Sequence, residues 1–208
     1  MLFKNNWFIF SKSYLLLASN WCLELKEDFE NEDKNKILII SILFNFKHAL
    51  ELILKAISFE IYWSYKHTHD VIKLISFIKK EIPNLKNNLR FQQFLKYMDD
   101  VTNKGYEYKI YFNFSDVEKI VLKVNRIIND YYFLHKFEEF LLSNEIKDKN
   151  NVIFRFPEYS KLVDYEKLIT TIDNHLIDEI FLDIDYILKH LHLFYIMLES
   201  YNLYINKV

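Results

Sequence analysis

Apolar side chains recur every three or four residues along most of the chain, which is the period of an α-helix. The spacing predicts four helices before residue 102, over residues 8–30, 37–62, 71–83 and 85–101. The second is apolar nearly all round in its first half, which favours burial on several sides. We expect the third to end at Pro83, because proline lacks a backbone donor and clashes with the preceding turn.

The helical period breaks near the only glycine, Gly105. Apolar and polar side chains alternate strictly from Tyr106 to Phe114, which is typical of a half-buried strand. A second, shorter alternating run covers Val152–Phe156 and ends at Pro157. The two runs predict a small antiparallel β-ribbon on a helical body.

Helical spacing returns between and after the two strands. Ser115 and Glu118 are spaced as a capping box, which predicts a helix from residue 115 to about Leu142. The last part of the chain predicts a short helix and a longer one from about Ile177. The expected fold class is therefore mostly α, one helical domain over residues 1–208 with a two-strand insertion near 105–114 and 151–156.

The same periodicity groups the apolar side chains of two helices. In the first helix a broad apolar band consists of Leu15, Leu16, Ala18, Trp21, Leu23 and Leu25. In the fourth helix the side chains expected to face the core are Leu85, Leu89, Phe94, Leu95 and Met98.

Composition excludes several classes of protein. With 1 Gly among 208 residues, the chain cannot form a Gly-rich phosphate loop or a dinucleotide fingerprint. With 1 Cys it can form neither a disulfide scaffold nor a cysteine-based zinc site. A net charge of −2 argues against general attraction to nucleic acid or to anionic lipid.

No targeting or membrane segment is expected. The start of the chain is interrupted by Lys4 and lacks the pattern of a secretory signal. The most apolar run, Ile37–Phe46, is too short to span a bilayer and is followed at once by charged residues. We therefore expect a soluble, cytoplasmic protein without membrane contact.

One polar stripe follows the otherwise apolar second helix. Steps of four, three, three and four residues place its members on one face: Ser41, Asn45, His48, Glu51 and Lys55. In the simpler interpretation, Glu51 and Lys55 form a surface ion pair and His48 bonds to a neighbouring loop. In the functional one, the stripe lines a cleft or a dimer seam, and Asn45, His48, Glu51 and Lys55 are candidate ligand- or RNA-binding residues.

Part of this helix resembles a known family. Residues 48–56, HALELILKA, are followed by residues 68–74, THDVIKL, in which Thr68 or Asp70 is a plausible helix cap. The two strings are similar to the second and third helices of HEPN (higher eukaryotes and prokaryotes nucleotide-binding) proteins. Residues 154–158, FRFPE, resemble a segment that follows the core helices in some bacterial members. The resemblance implies a helical bundle, a homodimer or a partner subunit, and in many members a metal-independent endoribonuclease.

The arginine–histidine pair that active HEPN ribonucleases carry on one helix is missing. The chain has three arginines, Arg90, Arg126 and Arg155, and none has a histidine four to six residues later. Arg126 and His135 are nine residues apart, which puts them on opposite sides of a helix. A catalytic pair would have to come from different elements, for example Arg155 with His48 or His69.

Two further features leave alternatives open. Arg155 is either an outward-facing strand residue or a rigid binder of phosphate or carboxylate. His69 and Asp70 are either a helix cap or candidate ligand-binding residues, and the histidines do not have the spacing of a zinc site. We predict no metal and no cofactor.

Three functions follow from these features. The leading one is a catalytically degenerate HEPN-like module that acts by dimerisation, or by binding a partner subunit, RNA or a nucleotide, in a bacterial phage-defence or toxin–antitoxin-type system. The second is a metal-independent endoribonuclease in which His48 or His69 is the acid or base and Arg155 stabilises the phosphate. The third is a structural helical subunit of a larger complex. The leading function requires an exposed apolar patch, and the second requires a histidine in an open cleft.

Overall fold

The computed structural model describes residues 2–27, 32–62, 68–103, 114–132 and 174–206, and almost all of them are helical. The helices are α1 (Leu2–Glu27), α2 (Glu32–Tyr62), α3 (Val71–Asn87), α4 (Leu89–Asn103), α5 (Phe114–Tyr132), α6 (Asn174–Tyr186) and α7 (His192–Ile205). A π-helical turn, Ile187–Leu191, joins α6 to α7 without a break. The expected helical class is confirmed. The predicted β-ribbon lies outside the described residues, except for Phe114, which begins α5.

The central element is α2, which packs against α1, α3 and α7. Within it, Ile37–Tyr62 is long and apolar enough to cross a membrane, and 72% of its most apolar window is buried by the rest of the protein. The argument that the apolar run is too short was therefore wrong, because the run continues past Phe46. Burial inside the bundle is the reason to regard α2 as a core helix.

The segment formed by α6, the π-helical turn and α7 runs antiparallel to α1. Lys26 at the end of α1 forms an ion pair with Asp178 at the start of α6. At the other end of α1, the Phe8 ring stacks on Tyr195 of α7 with 4.7 Å between ring centroids. Residues from every described helix meet in one hydrophobic core.

Two expectations about α3 and α4 were wrong. The third helix continues through Pro83 to Asn87, because Pro83 lies on the exposed side while Ile82 and Leu85 still pack on the core. The fourth begins only at Leu89, after the side chain of Asn88 accepts hydrogen bonds from the first turn.

The later start of α4 changes its buried face. Leu89 is 72% exposed rather than buried, and Phe91 enters the core instead. Of the other expected side chains, Phe94 is buried, and Leu95 and Met98 pack against the core from partly buried positions.

Candidate functional site

Three residues of the two HEPN-like strings meet where α3 begins. The Glu51 carboxylate accepts hydrogen bonds from Lys55 Nζ at 2.7 Å and from His69 Nδ1 at 2.8 Å, both at Oε1. The side chains of Glu51 and Lys55 are almost completely buried, whereas the His69 side chain is 64% exposed. The predicted ion pair of Glu51 and Lys55 therefore forms, but it lies inside the protein rather than on its surface.

The string THD positions His69 through the start of α3. Asp70 is the N-cap of this helix, and its Oδ1 accepts hydrogen bonds from the backbone N–H groups of Ile72 and Lys73. Thr68 Oγ1 accepts from the Asp70 N–H at 3.0 Å. Because both neighbours of His69 are fixed by these bonds, its imidazole is held over Glu51. The helix-cap interpretation of Asp70 is confirmed.

The distances decide which ring nitrogen of His69 carries a proton. Nδ1 cannot donate to Glu51 and accept from Lys55 at the same time, and it lies 3.5 Å from Lys55 Nζ but 2.8 Å from the carboxylate. The shorter contact is a donated Nδ1–H hydrogen bond. In the neutral imidazole Nε2 is then the basic nitrogen, which is the arrangement of a histidine oriented for proton transfer.

The other members of the stripe do not join this cluster. Asn45 Nδ2 donates to the backbone carbonyl of Ser41 on its own helix, at 2.7 Å. His48 packs between two rings, edge-on to Tyr14 and stacked on Phe44, with centroid distances of 5.0 and 5.8 Å. Of the two histidines considered as acid or base, His69 is the one with an oriented, exposed ring.

The arginines do not complete a catalytic pair among the described residues. Arg155 lies outside them, as does His135. The Arg126 side chain is 70% exposed and lies 3.7 Å from Asp130 on the same helix. No group of three or more His, Cys, Asp or Glu side chains in the described ranges could hold a metal ion.

Sequence analysis missed a second buried cluster. Asp183 of α6 accepts from Lys123 Nζ at 2.8 Å and from the Tyr131 hydroxyl at 3.3 Å, which ties α5 to α6. Burial is the main cause that raises the pKa of Tyr131, and Asp183 raises it further. The available signal was the position of Asp183 between the apolar residues Leu182 and Ile184.

His192 is a second buried titratable group that the sequence did not single out. Its Nδ1 donates to the Ile187 carbonyl at 3.1 Å within the π-helical turn, and its buried Nε2 has no partner among the described residues. Burial is the main cause that lowers the pKa of His192 to about 4. The hydrogen bond to Ile187 raises the pKa in part, and the charge of Lys12 lowers it further. This histidine is therefore neutral at pH 7.

One cavity of about 310 Å³ lies at the C-terminal end of α2, beyond the cluster. It is bounded by the ends of α2, α3 and α7 and the start of α4, and its polar lining residues include Glu60, Asn88, Arg90 and Asn202. Asn202 Nδ2 donates to the Glu60 carboxylate at 2.7 Å. None of Glu51, Lys55 and His69 lines it.

The outward side of α1 is unusually apolar. The outer face of α1, as defined here, consists of five large side chains that are 38–55% exposed: Ile9, Phe10, Leu16, Leu17 and Leu23. Leu16 and Leu23 belong to the predicted apolar band but lie exposed, because α1 contacts the other described helices through its opposite side. That opposite side includes Leu15, Ala18 and Cys22, all fully buried.

A helical bundle is the architecture that the HEPN resemblance implied, and the two similar strings contribute Glu51, Lys55 and His69 to one cluster within it. The family model of the HEPN domain matches residues 14–134, which is more than half of the chain. The protein therefore belongs to the HEPN family, and the resemblance carried by residues 48–56 and 68–74 is confirmed. Comparison with curated proteins and with solved structures gave no significant match.

Proposed function

We propose that this protein is a catalytically degenerate HEPN module that acts by association, either with a second copy of itself or with a partner subunit. The observation that carries the proposal is the outer face of α1, because exposed large apolar side chains along one helix are typical of an interaction surface. Membership of the family supports a bacterial defence or toxin–antitoxin-type setting with RNA or a nucleotide as a further ligand, and we propose the cytoplasm as the location.

The polar groups of α2 support the same proposal. Glu51 and Lys55 are buried and bonded to each other, and Asn45 is bonded to its own helix. Glu51 and Lys55 meet His69 at the junction of α2 and α3, and the bonds of all three α2 groups within the protein favour a structural role over ligand binding. Of the cluster, only the His69 ring is substantially exposed.

The geometry of His69 favours a second function, a metal-independent endoribonuclease with a rearranged site. An exposed imidazole that donates from Nδ1 to a buried carboxylate can take or give a proton at Nε2. Arg155 is the candidate for stabilising the phosphate in this function.

RNA cleavage by the purified protein separates the two functions. The assay uses total RNA and tRNA with EDTA present, and compares the wild type with His69→Ala, His48→Ala and Arg155→Ala. His175→Ala is the control, since His175 is an exposed histidine on α6. The proposal expects no cleavage by any of these proteins at high concentration. EDTA-resistant cleavage that is lost in His69→Ala and kept in His175→Ala would establish the ribonuclease instead.

A further inference from the structure

We propose that the cavity at the C-terminal end of α2 binds a small zwitterion, a molecule with an ammonium group, a carboxylate group and an apolar body, as in an apolar amino acid. The cavity is lined neither by the outer face of α1 nor by the cluster around His69. This binding site is therefore distinct from the surfaces on which the proposed function rests.

The size of the cavity fits a small molecule. Its volume of about 310 Å³ lies at the lower end of the roughly 300–1,000 Å³ of ligand-binding clefts. Since a cavity of about 150 Å³ is enough to bind benzene, this one has room for about a dozen non-hydrogen atoms. Its apolar lining, which would contact the body of the ligand, comes from Ile61, Leu85, Leu198, Tyr201 and Ile205.

Glu60 and Asn202 form an anionic side of the cavity. Glu60 is 3% exposed and lines the cavity. Asn202 Nδ2 donates to the Glu60 carboxylate at 2.7 Å and to the Glu60 backbone carbonyl at 2.9 Å. Because these two bonds use both amide hydrogens, the polar atom that the Asn202 side chain retains is the acceptor Oδ1. A negative charge beside hydrogen-bond acceptors suits an ammonium group.

Asn88 and Arg90 form a cationic side of the same cavity. Arg90 lies in the first turn of α4, which contains no acidic residue. The N-terminus of a helix carries a partial positive charge, and the guanidinium adds to it. An arginine binds a carboxylate through two parallel hydrogen bonds. This side therefore suits the carboxylate group of a ligand.

Tyr201 shows that the two sides are close to each other. It follows Tyr201 that Asn202, its neighbour on α7, belongs to the anionic side. Burial is the main cause that raises the pKa of Tyr201, whereas the charge of Arg90 and a hydrogen bond with Asn88 lower it. The Tyr201 hydroxyl therefore lies beside the cationic side. Because both sides line one cavity of this size, one small ligand can contact both.

The two sides together select the charges of the ligand. A ligand with a carboxylate alone would meet the negative charge of Glu60, and one with an ammonium alone would meet the positive charge of Arg90. A nucleotide would bring its phosphate into a cavity that holds the Glu60 carboxylate, and like charges repel. A zwitterion places an opposite charge against each side.

Calorimetric titration of the full chain tests the binding. Leucine and aminocaproate are the probes, because their two charged groups lie close together in the first and far apart in the second. At least one of them should bind with a dissociation constant below about 1 mM. The analogues that lack one charge should bind at least about tenfold more weakly: isoamylamine and isocaproate for leucine, pentylamine and hexanoate for aminocaproate.

Two charge-removing variants test the two sides separately. Arg90→Gln should weaken the zwitterion at least about tenfold and leave the amine analogue unchanged. Arg126→Gln is the matched control, because Arg126 is a 70% exposed arginine on α5, and it should bind like the wild type. Glu60→Gln should weaken the zwitterion and not the carboxylate analogue. Since Glu60 is buried, circular dichroism first checks that Glu60→Gln folds; if it does not, the Arg90→Gln result decides alone.

Four outcomes would overturn the zwitterion site. They are no binding of either probe, equal binding of the one-charge analogues, zwitterion binding that Arg90→Gln leaves unchanged, and displacement of the zwitterion by AMP. None of these results bears on association through α1. EDTA-resistant RNA cleavage that depends on His69 would remove the proposed degenerate module and leave the cavity unaffected, so the two proposals fail in different ways.

Discussion

The helices α1 and α2 pack side by side, yet they distribute polar and apolar residues in opposite ways. α2 buries charged groups, with Glu51 and Lys55 enclosed in the bundle. α1 exposes apolar groups, with Ile9, Leu16 and Leu23 about half open to solvent. Each departs from the ordinary expectation that charge lies outside and large apolar side chains lie inside.

This difference assigns different roles to the charged residues of α2 and the exposed apolar residues of α1. The charged groups of α2 are satisfied by each other and by His69, so that they hold the start of α3 in place. The large apolar side chains on the outside of α1 are about half exposed in the part of the chain that the structure describes. The buried charged residues of α2 therefore fit a structural role better than a ligand site. The exposed apolar residues of α1 are the better candidates for binding a partner.

The largest expected effect tests the buried charges of α2. Glu51→Ala leaves the Lys55 ammonium buried without its carboxylate, and we expect a loss of about 4 kcal/mol in the free energy of unfolding. Urea denaturation measures it. The control is Glu118→Ala, which removes the exposed pair of Lys86 and Glu118 and should cost at most about 1 kcal/mol. Equal losses in the two variants would contradict the burial of the Glu51 pair.

The next effect contrasts the two sides of α1. Leu15 is fully buried and Leu16 is 47% exposed, although they are neighbours in sequence. We expect Leu15→Ala to lower the free energy of unfolding by about 3 kcal/mol, because it leaves a cavity in the core. Leu16→Ala should change it by no more than about 0.5 kcal/mol. Chemical denaturation at a low protein concentration, where the protein is monomeric, measures the free energy of unfolding of both variants. A large loss in Leu16→Ala would mean that this side of α1 is covered within the chain.

A pH effect tests the junction between α1 and α7, where His192 packs beside Phe8. The pKa of His192 is lowered to about 4 in the folded protein, from 6.5. The neutral form is therefore favoured by folding, and its stabilisation is complete above about pH 6.5 and is lost as pH falls towards 4. The contribution is at most about 3 kcal/mol.

Denaturation at several pH values measures this contribution. Because carboxylates titrate in part of the same pH range, the wild type is compared with two histidine variants. His192→Met should show a flatter pH dependence than the wild type between pH 6.5 and 4. His175→Met, which changes an exposed histidine, should follow the wild type. Parallel curves for all three proteins would show that His192 does not titrate differently on unfolding.

The smallest effect tests the cap that fixes His69. Asp70→Ala removes the acceptor for two backbone N–H groups of α3, and we expect a loss of about 1 kcal/mol in the free energy of unfolding. Asp70→Asn keeps a capping oxygen and should lower the free energy of unfolding by only about 0.3 kcal/mol. If Asp70→Ala were neutral, the cap would not hold the start of α3.

The candidate site was predicted in its parts rather than as a whole. The four-residue step from Glu51 to Lys55 predicted their ion pair, because those positions are neighbours on any helix. The THD string predicted a helix cap at Thr68 or Asp70 from local backbone chemistry, and Asp70 is the cap. That His69 would bond to Glu51, across a loop and onto another helix, could not be predicted, because it depends on how α3 packs against α2.

The helical class, the HEPN membership and the local caps and ion pairs could be predicted from the sequence alone, because periodicity, caps and motifs act over a few residues. Tertiary structure decided which side of each helix is buried, and local spacing did not carry that information. Leu15 and Leu16 are the same residue type in the same helix, and the packing of α1 against the bundle makes the first a core leucine and the second a surface one. In the same way, packing alone enclosed Glu51 and Lys55 and left the His69 ring in solvent.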